Sequence, residues 1–177
     1  ITASDLDNGT TDNCGLETIS VTPSAFTCAN SGSNVVTFTA VDVNGNTSSA
    51  NVTVTVIDNV FPVAQAQNKN IYLNSNGLAI LSASQVNNGS SDDCAIISMT
   101  LSKTNYNCAD IGVNQVIFGV KDAYNNLSTV PVSITVLDTI KPVTIGQSIT
   151  LNLSISNPAV ITASQINNGS FDNCSFN

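Results

Sequence analysis

The stretch GSNVVTFTAVDVNGNTSSANVTVTVID, residues 32–58, decides the fold. Apolar Val35, Phe38, Ala40 and Val43 sit there among polar Asn and Thr, and Val52, Val54 and Val56 alternate with Thr53 and Thr55. A period of two sends successive side chains to opposite faces, so the pattern predicts half-buried antiparallel strands with apolar residues inward. Between the two runs, Asp42-Val43-Asn44-Gly45-Asn46 reads as a tight hairpin turn. Gly45 supplies the positive φ such a turn needs, and the Asp42 carboxylate can accept backbone N–H groups across it.

The same stretch returns as GVNQVIFGVKDAYNNLSTVPVSITVLD at residues 112–138, an offset of 80 positions without gaps. Val132, Ile134 and Val136 there alternate with Ser133 and Thr135. Working outward, ITASDLDNG at 1–9 reappears as LSASQVNNG at 81–89 and as ITASQINNG at 161–169. Cys14, Cys94 and Cys174 are in register, as are Cys28 and Cys108, and Asp58, Pro62 and Val63 match Asp138, Pro142 and Val143. Self-similarity at a fixed period is the signature of a repeat array. The expected units are a first repeat over 1–60 that lacks its opening strands, a complete second repeat over 61–140, and the start of a third over 141–177. Short linkers are expected at 58–62 and 138–142. The chain therefore reads as a window on a longer array. One helical turn is expected around Ala83-Ser84, closed by Gly89. Six or seven short strands with turn clusters every 8–12 residues predict tandem immunoglobulin-like β-sandwich repeats, all-β and antiparallel.

Composition narrows the function. Charged residues make up 9% of the chain, against a globular norm of about 25%, and Asn, Ser and Thr take their place. With four Lys, no Arg and a formal net charge of −8, nothing offers a basic footprint to nucleic acid or to an anionic membrane surface. No apolar run approaches the roughly 20 residues of a membrane span. There is no His, and Glu17, the single Glu, is replaced by Ile97 one repeat on. No enzymatic role is expected, and no catalytic residue is assigned.

The strings TDNCG at 11–15, FTCAN at 26–30 and DTIKPV at 138–143, with the long stretch from Gly32, resemble the HYR-like and immunoglobulin-like repeats of giant surface adhesins of the Bacteroidota. They look most like those used in gliding motility. The resemblance spans the whole chain. It implies a secreted, extended, cell-surface filament exported by a type IX system, with a structural or adhesive stalk function. Its partners would be neighbouring repeats of the same chain and an extracellular surface or glycan. A laterally assembling surface filament and a glycan-binding repeat module are the alternatives. With no Trp, and with Tyr106 in register with Phe26 and expected in the core, stacking surfaces for sugars are scarce.

Five cysteines fall as two pairs and a leftover. Equal spacing predicts disulfides Cys14–Cys28 and Cys94–Cys108, with the partner of Cys174 outside the chain, and hence an extracellular location. Zinc would be short of ligands at two Cys per repeat and no His. No cofactor is expected. Calcium is the one metal the acidic pattern could serve, with Asp58, Asp138, Asp12 and Asp92 as candidate ligands, although each also reads as a turn cap. Lys69, Lys103, Lys121 and Lys141 have no equivalents one repeat away, which argues against isopeptide crosslinks. Asp138-Thr139-Ile140 resembles the D-[ST]-hydrophobic acceptor used for O-glycosylation in the Bacteroidota, which makes Thr139 a glycan candidate, while Asn59 occupies its place at the first junction.

Overall fold

The computed structural model describes residues 1–152 and 159–175. Strands β1 (Leu16–Thr22), β2 (Gly32–Asp42) and β3 (Thr47–Val56) form one antiparallel sheet in that order. Further along come β4 (Lys69–Tyr72), β5 (Leu78–Ile80), β6 (Ile96–Leu101), β7 (Asn105–Asn107), β8 (Gly112–Asp122) and β9 (Leu127–Leu137). They make a four-stranded sheet ordered β4-β9-β8-β6 and a two-stranded sheet of β5 and β7. The triplet β6, β8, β9 repeats β1, β2, β3 at the 80-residue offset, down to the same register slip at Leu16/Thr18 and Ile96/Ser98. One pairing departs from the antiparallel expectation: β4 runs parallel to β9, Lys69 beside Ile134 and Tyr72 beside Leu137.

The core lies between the two sheets of the second unit, where Ile71, Leu73, Leu81, Val86 and Tyr106 close over Val116, Phe118, Val120, Val132, Ile134 and Val136. Tyr106 is buried, as expected, and its hydroxyl donates to the Lys103 carbonyl at 3.2 Å. In the first unit the parity of β2 differs from the reading of its apolar residues. Val36, Phe38 and Ala40 face inward, whereas Val35 is 63% exposed and Val43 lies in the turn at 56%. Consecutive Val35 and Val36 gave the pattern two settings, and only the pairing with β1 and β3 selects one. Residues 24–27, matching the run that leads into and forms β7, form no strand there, and the Ile1 amine donates to the Ser24 carbonyl at 2.8 Å.

The inward parity continues past the apolar residues to Asp42 and Asp122, 8% and 0% exposed. Each carboxylate closes the following hairpin. Asp122 Oδ1 accepts the N–H groups of Tyr124 and Asn126, both at 2.8 Å, and Oδ2 accepts Asn126 Nδ2 at 2.7 Å. Asp42 makes the same set with Asn44 and Asn46. The left-handed residue of the first turn is Gly45, as expected; in the second it is Asn125 at φ 75°, a residue whose short polar side chain tolerates that region. The helical turn at 83–85 is present as a single 3-10 turn that ends at Val86 rather than at Gly89, with the Ser82 N–H and hydroxyl both donating to Gln85 Oε1.

Phe118, wholly buried between the sheets, is the largest apolar side chain shared by the two units' central strands. Phe118→Ala is expected to destabilise the second unit by about 3–5 kcal/mol, and Phe38→Ala by less, since Phe38 keeps an open flank. Urea unfolding of the oxidised chain measures both.

Candidate functional site

The site lies where one unit meets the next. β3 ends at Val56, and the chain turns at Asp58, whose Oδ1 accepts the Val60 N–H at 2.9 Å; at the next junction Asp138 Oδ1 accepts the Ile140 N–H at 3.1 Å. Both linkers are therefore short and alike, as the register predicts. The chain then bridges back onto the unit it enters, Val63 with Ser91 and Ala66 with Asn87, and this is repeated by Val143 with Phe171 and Gly146 with Asn167.

The cysteines pair across these junctions. Cys28 is bonded to Cys94 and Cys108 to Cys174, each 66 residues apart, while Cys14 is free and exposed. The expected pairs Cys14–Cys28 and Cys94–Cys108 are not formed. The second cysteine of one unit sits at its end facing the following unit, and the first cysteine of that following unit sits in the turn after Asp92 or Asp172, against the same end. A repeat period of 80 permits separations of 14 and 66 equally. The leftover thiol is the first in the chain rather than the last. Only the placement of the loops decides between the two pairings, and no local sequence signal carries that. Two disulfides mark a chain folded in an oxidising, extracellular compartment. Among the described residues no helix is long and apolar enough to cross a membrane.

Further contacts surround each bond. Tyr124 Oη donates to the Cys28 carbonyl at 2.8 Å, and Asn126 Nδ2 reaches the carbonyls of Asp58 and Val60 at 3.3 and 3.0 Å. At the second junction Asn173 Nδ2 donates to the Asn74 carbonyl at 3.3 Å and to Asp138 Oδ1 at 3.1 Å. Gly77, at φ 70°, lets the β4–β5 turn approach: a Cβ there would stand 2.6 Å from Cys108 Sγ and 2.7 Å from the Asn173 carbonyl oxygen. None of these contacts is visible in the sequence as a motif.

The acidic residues divide. Asp12 and Asp92 act as turn caps, Asp92 Oδ2 accepting the N–H groups of Cys94 and Ala95. Asp58, Asp92 and Asp122, from three separate segments, converge so that one oxygen of each lies within 4.8 Å of the others. Asp122 joins the set although its role in the hairpin had hidden it. Burial pushes its carboxyl up, but the side chain of Asn126 and the backbone N–H groups of Asn126, Tyr124 and Asn125 outweigh this and hold it below the usual carboxylate range. Thr139 is exposed beside the second linker.

No family model matches the chain, and no curated protein matches it. Among solved structures, extracellular cadherin domains 1–4 of protocadherin gamma B7 align over 81% of this chain at 16% identity and a TM-score of 0.37. The chain spans 47% of the length of that structure.

Proteolysis of the oxidised chain without reductant is expected to give linked peptides joining Cys28 to Cys94 and Cys108 to Cys174, with Cys14 alone labelled by iodoacetamide. A linked Cys14–Cys28 or Cys94–Cys108 peptide would overturn the pairing. Gly77→Ala is expected to lower the yield of the Cys108–Cys174 bond on reoxidation and to leave Cys28–Cys94 unchanged, both read from the same peptide map.

Proposed function

We propose that this chain is a non-enzymatic, extracellular stalk of an adhesive surface protein, a row of sandwiches that holds a binding element away from the cell and carries tension along its length. The observation that supports the reading is the course of the disulfides from each unit into the next. A pull applied at the two ends runs from the first residues to Cys28, crosses to Cys94, and after fifteen residues crosses again from Cys108 to Cys174. The long strands β2, β3, β8 and β9 lie inside the bypassed loops, while β1, β6 and β7 stay on the load path. In the chain-entropy description, a closed loop of 66 residues stabilises the folded state by about 4 kcal/mol per bond. Such a device fits a spacer under load better than a ligand pocket. Use in gliding, export by a type IX system and a glycan or other extracellular surface as the final partner belong to the same reading and rest on the family resemblance. Thr139, exposed at the second linker, is the proposed O-glycan acceptor, since a sugar there costs little folding energy.

Single-molecule stretching of the full chain tests the proposal. Reduction is expected to lengthen the fully extended chain by about 220 Å per disulfide, from 66 residues at about 3.4 Å each. A gain of about 50 Å per bond would instead mean pairs closed within a repeat, and the load-sparing reading would fall. For the glycan, mass spectrometry of the peptide covering 138–142 from native cells should show added sugar on Thr139, and an unmodified peptide refutes that assignment.

A further inference from the structure

The geometry points to a calcium site at the first junction, held by Asp58 of the linker, Asp92 of the turn entering β6, and Asp122 at the end of β8. One oxygen from each of the three carboxylates lies within 4.8 Å of the other two. Each carboxylate is anchored by its own turn, so the three are presented rather than floating. Asp58 Oδ1 is occupied by the Val60 N–H, Asp92 Oδ2 by Cys94 and Ala95, and Asp122 by Tyr124 and Asn126.

A second observation separates this cluster from an ordinary set of turn caps. The remaining oxygens, Asp58 Oδ2 and Asp92 Oδ1, are sealed from solvent and have no hydrogen-bond partner. Buried polar atoms are nearly always paired, and an orphaned carboxylate oxygen beside two other carboxylates is the costliest kind to leave. Among the described residues the one ion pair is Lys103–Asp110, so no cationic side chain neutralises the cluster. At the next junction Asp172 Oδ1, the counterpart of Asp92 Oδ1, is buried and unpartnered as well, as is Asn173 Oδ1 in the place of Asp93.

The donor set selects the ion. All the available donors are hard oxygens, and Cys94, beside Asp58, is locked in a disulfide and offers no thiolate. Three carboxylates from separate segments, with the Asp58 and Val60 carbonyls near by, suit the six to eight oxygens and loose geometry of calcium. Magnesium demands a regular octahedron and keeps its waters. The bound ion would join residues on both sides of the linker, which adds a non-covalent tie beside the Cys28–Cys94 bond. This inference does not depend on the stalk function.

The test uses the full oxidised chain, stripped with EDTA and dialysed, with calcium chloride alone as the probe. Isothermal titration is expected to show binding with Kd on the order of 10⁻⁴ M, in the range of extracellular modules, and at least about tenfold weaker binding of magnesium. Asp58→Asn keeps the Oδ1 bond to Val60 and removes a charge. It should weaken calcium binding at least about tenfold while melting at or above the native temperature in EDTA, because like charges are relieved. Asp12→Asn, in the first unit, should bind as the native chain does. Absence of calcium binding up to about 10 mM, or undiminished binding by both Asp58→Asn and Asp92→Asn in chains whose circular dichroism is native, would overturn the site.

Discussion

Everything at the junctions follows from one covalent constraint: the bond that fixes the end of one sandwich to the entry turn of the next. With Cys28 tied to Cys94, the loop at 26–30 cannot leave the turn at 92–95, and the linker between Asp58 and Val63 must run alongside. Tyr124 and Asn126 then reach backward to carbonyls of the preceding unit and its linker at hydrogen-bonding distance. These are modest contacts, and without the bond each would have to hold two independently moving bodies. With it they act on a geometry already fixed. The short linker and the disulfide together leave the neighbouring units little room for independent motion.

A second constraint operates inside each unit. The inward face of β8 reads Val116, Phe118, Val120 and then Asp122, so the alternation that builds the core also drives a carboxylate under the last turn. Burying that charge is tolerable because Asn126 supplies both its backbone and its side-chain N–H and Tyr124 adds its backbone N–H. The same Asn126 amide also reaches the Asp58 and Val60 carbonyls, which couples the integrity of the hairpin to the junction beyond it. A loss at Asn126 would therefore be felt in two units.

The sandwich was legible because periodicity and turn chemistry are local. Alternation along 47–56 and 127–137, the Asp42-to-Asn46 turn and the 80-residue register all act over a few residues and survive in the sequence as written. What was not legible depends on pairing. Val35 and Val36 are chemically equivalent, and only the neighbouring strands decide which faces inward. The parallel addition of β4 to β9 joins residues 65 apart, Lys69 and Ile134, and has no turn to announce it. Cysteine spacing fits two connectivities equally, so the reading chose the nearer partner and the fold chose the farther. Asp58 and Asp92 could be singled out by recurrence, but their meeting with Asp122 required three loops to be placed in space.

The choice of the farther partner has a consequence for the order of events during biogenesis. In an unfolded chain, closing a loop of 14 residues is favoured over one of 66 by about 1.4 kcal/mol of closure entropy, or roughly tenfold. An oxidant that reached the chain before the sandwiches formed would thus trap the near pair. The native bonds are reached directly when folding presents Cys28 to Cys94 before oxidation, and a near pair formed earlier must be undone by thiol–disulfide exchange. Moreover, a chain emerging from its N-terminus holds each second cysteine reduced until the entry turn of the following unit has also emerged. The array is in this sense sealed from behind, one junction at a time, each unit left open until its successor has folded.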